Sequence, residues 1–234
     1  MAGDTVRLTY TASRGLGEPI RLALVASGID YTEIYLQTRE DFVKLTEGGK
    51  LMFKQIPLLE IDGLNLIGSE AVLRYVCRKG NLEGKTDEEK VRIDMLAMGA
   101  KDMVLNTIMY SRFHELLISK EKAEEDIETA IKECRNRYLP VFEKVLSESK
   151  SGFFVGDSMT MADIMLFDAL SCVNEIPELK AIGLLDEYPL CVAFIDHFSK
   201  QPRIVDYLAS ERRHTVIDLE QAAYASRLFG WLPS

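Results

Sequence analysis

The sequence feature that most constrains the fold is a pair of short apolar runs joined by a tight turn. Residues 58–61 and 64–67 form the runs, and Asp62-Gly63 between them is a strong signal for a two-residue β-hairpin. Pro57 precedes the first run and cannot donate a ladder hydrogen bond, so strand pairing stops there. The sequence therefore predicts a hairpin with a free backbone edge in front of it, at residues 55–56.

A helix is predicted directly after the hairpin. Ser69 can cap its N-terminus, and apolar residues follow at helical spacing between Val72 and Val76. A helix start presents unpaired N–H groups and a partial positive charge, which suit a carboxylate or a phosphate. This stretch thus offers an open backbone edge and, close to it, an anion site. An ordinary hairpin packed on a helix has the same pattern, so the residues alone leave both interpretations open.

The segments before the hairpin predict a βαβ unit. Residues 6–10 alternate between apolar and polar and predict a strand, and residues 31–36 predict a second one. Between them, Pro19 suits the first turn of a helix that ends at Gly28. With the hairpin and its helix, the expected order is typical of a thioredoxin-like domain over residues 1–82.

The second part of the chain, residues 83–234, is predicted to be all-helical. A charged linker at residues 81–90 leads into apolar residues at helical spacing over residues 91–117. A second long helical pattern contains Pro140, which should kink it. Thr160 and Asp163 form a capping box before a helix that is apolar nearly all round, so we expect this helix at the centre of the domain.

Composition narrows the function classes. A net charge of −9 argues against nucleic acid and anionic membranes as partners, since both require a basic surface. No apolar run approaches the roughly 18 residues of a membrane span, and the N-terminus lacks a signal-peptide pattern. The four cysteines are far apart in apolar settings, which indicates buried thiols. A cytoplasmic protein is expected.

The residues offer one candidate for chemistry. No catalytic triad, phosphate-binding loop or HExxH motif is present, and the three histidines lack metal-ligand spacing, so no metal is expected. Tyr10 ends the first predicted strand, where its hydroxyl can face the Pro57 edge and stabilise a ligand thiolate. Lowering a thiol pKa from about 8.5 to about 6.5 requires only ~2.7 kcal/mol. Tyr10 as a core aromatic, with its hydroxyl bonded to backbone, is the alternative interpretation.

These segments together resemble the cytosolic glutathione transferases over nearly the whole chain. The resemblance is closest to the alpha class, with mu-like features around Leu16 and residues 71–75. It rests on the order and spacing of the following motifs: Tyr10…Arg14-Gly15-Leu16…Ile20-Arg21, Leu51-Met52-Phe53-Lys54-Gln55-Ile56-Pro57, Arg137-Tyr138…Pro140, Thr160-Met161-Ala162-Asp163 and Asp218-Leu219-Glu220-Gln221-Ala222.

The resemblance implies a fold with an α/β thioredoxin-like N-terminal domain and an all-α C-terminal domain. It also implies a glutathione site, in which Tyr10 would stabilise the thiolate and Gln55 and Ile56, before a cis Pro57, would hold the cysteinyl backbone as an added strand. Ser69 would take the γ-glutamyl carboxylate. Further glutathione contacts are expected from Arg14 and Gly68, and from Asp102 and Arg137 reaching across a homodimer. Phe53 would insert into the partner's helical domain.

Several residues depart from the family pattern. Leu16 stands where alpha-class members have a second thiolate donor, an arginine. Gly68 replaces a glutamine and removes an amide contact, and Glu70 replaces an arginine. Thr46 stands where a basic residue often binds the glycine carboxylate, a role that Lys44 or Lys50 would have to fill.

The implied activity is attack of the glutathione thiolate on a small hydrophobic electrophile in detoxification, without a metal. The electrophile pocket is expected to comprise Thr11, Ser13, Leu16, Ile108, Met109, Leu219, Ala222 and Phe229. A glutathione-dependent isomerase of the prostaglandin or ketosteroid type and a ligandin-type carrier remain alternatives, and so does a crystallin-like structural relative. The C-terminal helix is expected either to close as a lid or to pack permanently on the core.

Overall fold

A computed structural model describes residues 5–232, apart from the side chains of residues 106–108. Four strands form one sheet in the order β2-β1-β3-β4, with β1 at Arg7–Tyr10, β2 at Thr32–Tyr35, β3 at Leu58–Ile61 and β4 at Leu64–Ile67. β1 runs parallel to β2 and antiparallel to β3. The βαβ unit and the hairpin are both as predicted.

Three helices accompany the sheet. They are α1 at Glu18–Ser27, α2 at Arg39–Glu47 and α3 at Ser69–Lys79. α1 packs against α3, and Leu8, Ile20 and Leu59 are fully buried in the core beside them. One detail differs from the prediction: Ser69 is the first residue of α3 rather than its cap, which is Gly68.

Beyond α3, the regular structure of the described residues is entirely helical. Its helices are α4 at Asp87–Met103, α5 at Tyr110–Leu117, α6 at Lys120–Glu133, α7 at Leu139–Glu148, α8 at Met161–Glu175, α9 at Pro177–Ala181, α10 at Pro189–Ser199, α11 at Ile204–Leu208 and α12 at Leu219–Phe229. The helix predicted over residues 91–117 is interrupted by a π-helical turn at Val104–Met109. The break expected near Pro140 is present as a second such turn, Cys134–Tyr138, directly before α7.

α8 is the centre of the helical part, as predicted from its apolar surface. Every residue of its first three turns, residues 161–173, is buried. It packs against α4, α10 and α1, so it joins the helical part to the α/β part. The predicted division of the chain between residues 82 and 83 stays a prediction.

The capping box before α8 is built from buried hydrogen bonds. The carboxylate of Asp163 accepts from the Thr160 backbone N–H and hydroxyl, both at 2.8 Å, and from the Phe154 N–H at 2.8 Å. Asp163 is fully buried, and burial raises the pKa of its carboxyl to about 6. This single side chain therefore fixes the entry to the central helix and the loop that precedes it.

Candidate functional site

An open groove of about 480 Å³ lies between the sheet edge and the helical part. It contains five residues predicted from the sequence to bind glutathione or the electrophile: Leu16, Gln55, Ile56, Gly68 and Ser69. Phe229, also predicted, lies at the C-terminal side. The remaining lining residues are Phe42, Lys54, Glu70, Lys101, Leu105 and Trp231.

The backbone in front of β3 forms one wall of the groove. The Ile56–Pro57 peptide bond is cis, as the resemblance implied. β3 begins one residue later, where Leu58 pairs with Thr9 on one side and with Ile67 on the other. Residues 55–56 thus lie outside the sheet and line the groove.

The start of α3 forms the adjacent wall. Gly68 has a φ of +79°, a left-handed conformation that a residue with a side chain adopts only with strain. Glycine at this position adopts the turn without that strain. Ser69 follows at the first helical position, and here the Ser69 hydroxyl and the Glu70 backbone N–H bond to the Glu70 carboxylate. A carboxylate is therefore already seated at this helix start, which is where a helix favours negative charge.

Glu70 and Lys101 form an ion pair across the groove wall. Glu70 lies in the first turn of α3, and Lys101 lies near the end of α4, so the pair connects the two parts of the chain. Although burial opposes it, the hydrogen bond from Lys101 lowers the pKa of the Glu70 carboxyl. Glu70 is therefore ionised at neutral pH.

Tyr10 lies just behind the groove wall. Its side chain is only 8 % exposed, and its hydroxyl accepts a hydrogen bond of 3.0 Å from the Leu16 backbone N–H. Gly15 allows this close approach, because a Cβ there would lie 2.6 Å from the hydroxyl oxygen. Leu16 lines the groove, and its backbone N–H connects the Tyr10 hydroxyl to the groove wall.

Burial raises the pKa of the Tyr10 hydroxyl, although the Leu16 N–H and the Arg21 guanidinium oppose that effect. A phenol with a raised pKa stays protonated at neutral pH, so Tyr10 keeps a proton to donate. Because the Leu16 N–H is already bonded to the oxygen, that proton is polarised toward a further acceptor.

The loop over Tyr10 is held by Arg21, which is fully buried. Its guanidinium donates to the backbone carbonyls of Ser13 at 2.8 Å and Thr11 at 3.3 Å. The Thr11 and Ser13 hydroxyls bond to each other at 2.7 Å and are buried. Both residues were predicted to line the electrophile pocket, but here their side chains are used to shape the loop.

Arg14 lies away from the groove. It is 2 % exposed, and its guanidinium donates to the two carboxylate oxygens of Glu175 at 3.0 and 3.2 Å. Asp168 is also within 3.6 Å of it. The expectation that Arg14 contacts glutathione is therefore not supported by its position, since its charge is used to attach the loop to α8.

The two lysines expected to replace a basic residue at Thr46 also lie elsewhere. Lys44 pairs with Glu40 at 2.9 Å on the surface of α2, and Lys50 pairs with Glu60 at 2.6 Å. The basic residue that lines the groove beside Gln55 is Lys54. It was missed because the sequence gives no indication of which exposed lysine faces the cleft.

A second, narrower cavity of about 40 Å³ adjoins the groove and shares five lining residues with it: Leu16, Ser69, Glu70, Lys101 and Leu105. Its other walls are mainly apolar and include Met109, which the resemblance had implied, and Met165. Ile108 was also expected here, but its side chain lies outside the described residues. The cavity is suited to an apolar group attached to a ligand in the groove.

α12 covers the outer end of the groove. The Phe229 ring packs edge-on against Phe42 with centroids 5.3 Å apart, and Trp231 packs on Phe229 at 5.2 Å. Of the other residues expected in the pocket from this helix, Ala222 is fully buried in its packing and Leu219 is exposed. The helix thus contributes only its last turn and Trp231 to the groove.

Three residues expected to act in a dimer lie outside this groove. Asp102 lies close to Tyr138, whose pKa is raised by burial and further by the Asp102 carboxylate. Arg137 packs over the same tyrosine ring, 5.0 Å from its centroid. Phe53 is 70 % exposed in the loop before Gln55. None of the three lines the groove of its own chain.

The chain matches two family models, the glutathione S-transferase N-terminal domain over residues 6–78 and the glutathione S-transferase C-terminal domain over residues 109–211. It is 39% identical to rat glutathione S-transferase alpha-4 over 202 residues, covering 86% of this chain and 87% of the rat protein. It is 35% identical to mouse glutathione S-transferase A3 over 230 residues, covering 98% of this chain and 100% of the mouse protein.

Solved structures agree. The crystal structure of the glutathione S-transferase from Ascaris lumbricoides aligns with a TM-score of 0.72 and 34% identity, covering 90% of this chain and 98% of that one. The chain therefore belongs to the glutathione S-transferase family, and the predicted fold and family are confirmed.

Neither a membrane-spanning helix nor a metal-binding group is found among the described residues. No helix within residues 5–232 is both long and apolar enough to cross a membrane. No group of three or more His, Cys, Asp or Glu side chains in that range is arranged to hold a metal ion. All four cysteines are buried free thiols, as expected.

Proposed function

We propose that this protein is a glutathione transferase, which joins the thiolate of glutathione to small hydrophobic electrophiles. The observation that carries the proposal is the groove itself. It places the free backbone at Ile56, before cis Pro57, beside the start of α3 at Ser69. The membership of the family and the names of its relatives support the same activity.

Glutathione would lie extended along this groove. Its cysteinyl backbone would pair with Ile56 as an added strand, and its γ-glutamyl carboxylate would lie at the start of α3, beside Ser69. Gln55 would bind along the peptide, and Lys54 is placed to meet the glycine carboxylate at the other end. The sulfur would then lie at the wall formed by Leu16, above the Tyr10 hydroxyl.

Tyr10 is assigned to thiolate stabilisation. Its hydroxyl accepts from the Leu16 N–H and would donate its own proton to the sulfur. This backbone N–H strengthens Tyr10 as a donor and partly replaces the arginine that the family pattern has at Leu16. The thiolate attacks the electrophile directly, so no covalent enzyme intermediate forms.

The electrophile would occupy the cavity beside Met109 and Met165, whose entrance is shared with the groove at Leu16. Phe229 and Trp231 would shield it from water at the outer end. An apolar reactant is favoured, because this cavity offers it hydrophobic contact on most sides. A role in detoxification and a cytoplasmic location follow as parts of the proposal; the buried free thiols support a reducing compartment.

The test is a calorimetric titration of the purified protein with glutathione, together with a conjugation assay on a generic aryl halide. We expect saturable binding of glutathione and formation of the aryl thioether. Binding of glutathione without conjugation, across several electrophiles, would contradict the transferase assignment and favour an isomerase or a carrier. Absence of glutathione binding would contradict the site itself.

A homodimer is part of the proposal, and Phe53 gives a direct test of it. Phe53 and its neighbour Met52, which are 70 % and 78 % exposed, form an apolar patch of the kind that a partner subunit covers. Phe53→Ser is expected to weaken dimerisation about 30-fold or more, the effect typical of a central aromatic at an interface. Sedimentation over a range of concentrations measures this change.

Ile118 supplies the matched control, since it is also an exposed apolar residue, 63 % exposed, on the loop after α5. Ile118→Ser is expected to leave the association constant unchanged. A Phe53→Ser protein that sediments like the wild type would remove Phe53 from the interface.

A further inference from the structure

One carboxylate in the wall of the narrower cavity lacks a hydrogen-bonding partner. Asp168 lies on α8, close to Met165, and lines this cavity of about 40 Å³. The residue is only 6 % exposed, and none of the groups in the described part of the chain donates a hydrogen bond to its Oδ1 atom. A buried acceptor without a donor is costly, so this oxygen is a place where a ligand atom can bind.

The neighbouring positive charge does not satisfy that oxygen. Arg14 Nε lies 3.6 Å from Asp168 Oδ1, which is longer than a hydrogen bond, and among the described residues its own N–H has no acceptor. The other two guanidinium nitrogens of Arg14 donate to Glu175. An acceptor that lines the cavity and a donor beside it are thus both unpaired.

The charges around Asp168 favour a neutral ligand group. Burial raises the pKa of its carboxyl to about 6, and the Glu175 carboxylate acts in the same direction, whereas the Arg14 and Arg21 guanidiniums lower it. Above that pH the carboxylate only accepts hydrogen bonds, and Arg14 already supplies the positive charge beside it. A hydroxyl group carries a donor for Asp168 Oδ1 and an acceptor for Arg14 Nε, so it supplies both missing partners.

The position of Asp168 relative to the groove determines which part of a ligand it can reach. The cavity and the groove meet at Leu16, where the sulfur of glutathione is proposed to lie. Leu73, Ala100 and Val104 give the cavity apolar walls. Its volume is enough for a few water molecules or for the end of a bound ligand. An electrophile with its reacting carbon at Leu16 would therefore place its far end against this wall.

We infer that Asp168 selects electrophiles that carry a hydroxyl group at the end remote from the reacting carbon, by accepting a hydrogen bond from that hydroxyl inside the cavity. This inference rests on the proposed function, since it assumes that the electrophile occupies this cavity. It makes Asp168 a specificity-determining residue that lies away from the reacting atoms.

Two aryl chlorides of matched shape test the inference. 1-Chloro-4-(hydroxymethyl)-2,6-dinitrobenzene and 1-chloro-4-ethyl-2,6-dinitrobenzene differ in one hydroxyl against one methyl group, opposite the reacting carbon. The kcat/KM of each is measured at saturating glutathione and pH 7.5. Division by the rate constant of the uncatalysed reaction removes the difference in intrinsic reactivity.

The wild type is expected to prefer the hydroxymethyl compound about 10-fold or more, because a site that bonds a hydroxyl rejects the analogue that lacks it. Hydrophobic burial alone favours the ethyl compound. Asp168→Leu removes the acceptor and keeps a branched side chain, so its preference ratio should fall to about one or below. If this variant does not fold, the ratio in the wild type decides by itself.

Glu175 provides the matched control. It lies on the same helix and pairs with the same arginine, Arg14, at 3.0 Å, but it does not line the cavity. Glu175→Gln therefore reports what loosening Arg14 does without removing the acceptor, and we expect its preference ratio to stay within about twofold of the wild type. Thermal unfolding of both variants checks that they are folded.

The inference is overturned if the wild type prefers the ethyl compound or shows no preference, if Asp168→Leu keeps the wild-type ratio, or if Glu175→Gln loses the preference as fully as Asp168→Leu. It is also overturned if the wild type conjugates the parent 1-chloro-2,6-dinitrobenzene but neither substituted compound, because the cavity then does not admit the substituent. In each of these cases conjugation is still observed, and the proposed function stands. If the wild type conjugates none of the three compounds, both fall together.

Discussion

Replacing Tyr10 by phenylalanine is expected to lower turnover about 50-fold at pH 6.5 while leaving the affinity for glutathione within about threefold of the wild type. If Tyr10 lowers the thiol pKa from about 8.5 to about 6.5, half of the bound glutathione is thiolate at pH 6.5. Without that donor, only about one hundredth of the bound glutathione is thiolate at this pH. Affinity changes little because the backbone and the charged ends of the tripeptide bind elsewhere in the groove.

Steady-state conjugation kinetics and calorimetry on the same preparation measure these two effects. Tyr35→Phe is the matched control, because Tyr35 lies opposite Tyr10 in the sheet register and its hydroxyl contacts His214. Thermal unfolding of both variants separates catalysis from folding, since Tyr10→Phe also leaves the Leu16 N–H without its acceptor. A Tyr10→Phe enzyme with wild-type turnover would remove Tyr10 from the mechanism.

Replacing Asp163 by alanine is expected to have the largest effect on stability, lowering the free energy of unfolding by about 4 kcal/mol. The substitution leaves three donors without their acceptor, two on Thr160 and one on Phe154. All of them are in the buried entry to α8, where water cannot replace the lost carboxylate. Denaturant unfolding followed by circular dichroism measures the change.

Asp41 is the control for this prediction. It occupies the same position in the capping box of α2, accepting from the N–H groups of Thr38 and Gln37, but at the surface. Asp41→Ala should therefore lower the free energy of unfolding much less, because water can bond to the freed N–H groups. Equal losses in the two variants would show that burial is not what makes Asp163 important.

The elements most predictable from the sequence were those set by local chemistry. Asp62-Gly63 and Pro57 located the hairpin at the residues where it is found, because turn chemistry and a missing N–H act over a few residues. The interruption at Val104–Met109 was not predicted, since its residues carry the same apolar spacing as the helix before it.

The positions in the groove that are set by the backbone could be predicted from the sequence. The directions of the charged side chains could not. Ile56 and Ser69 both line the groove, because the end of a strand pairing and the start of a helix place them there; their roles in binding stay predictions. Arg14 was expected in the groove, but two acids on α8, more than 150 residues later in the chain, hold it away. Lys101 was missed for the same reason, since its partner Glu70 lies in another element.

The most direct test of the central claim is the ionisation of the bound thiol. Ultraviolet absorbance of the glutathione thiolate, followed across pH at saturating protein, gives the pKa of that thiol in the complex. We predict a pKa of about 6.5 in the wild-type complex and a value near 8.5 in the Tyr10→Phe complex. The same pKa in both complexes, or a wild-type value equal to that of free glutathione, would contradict the account.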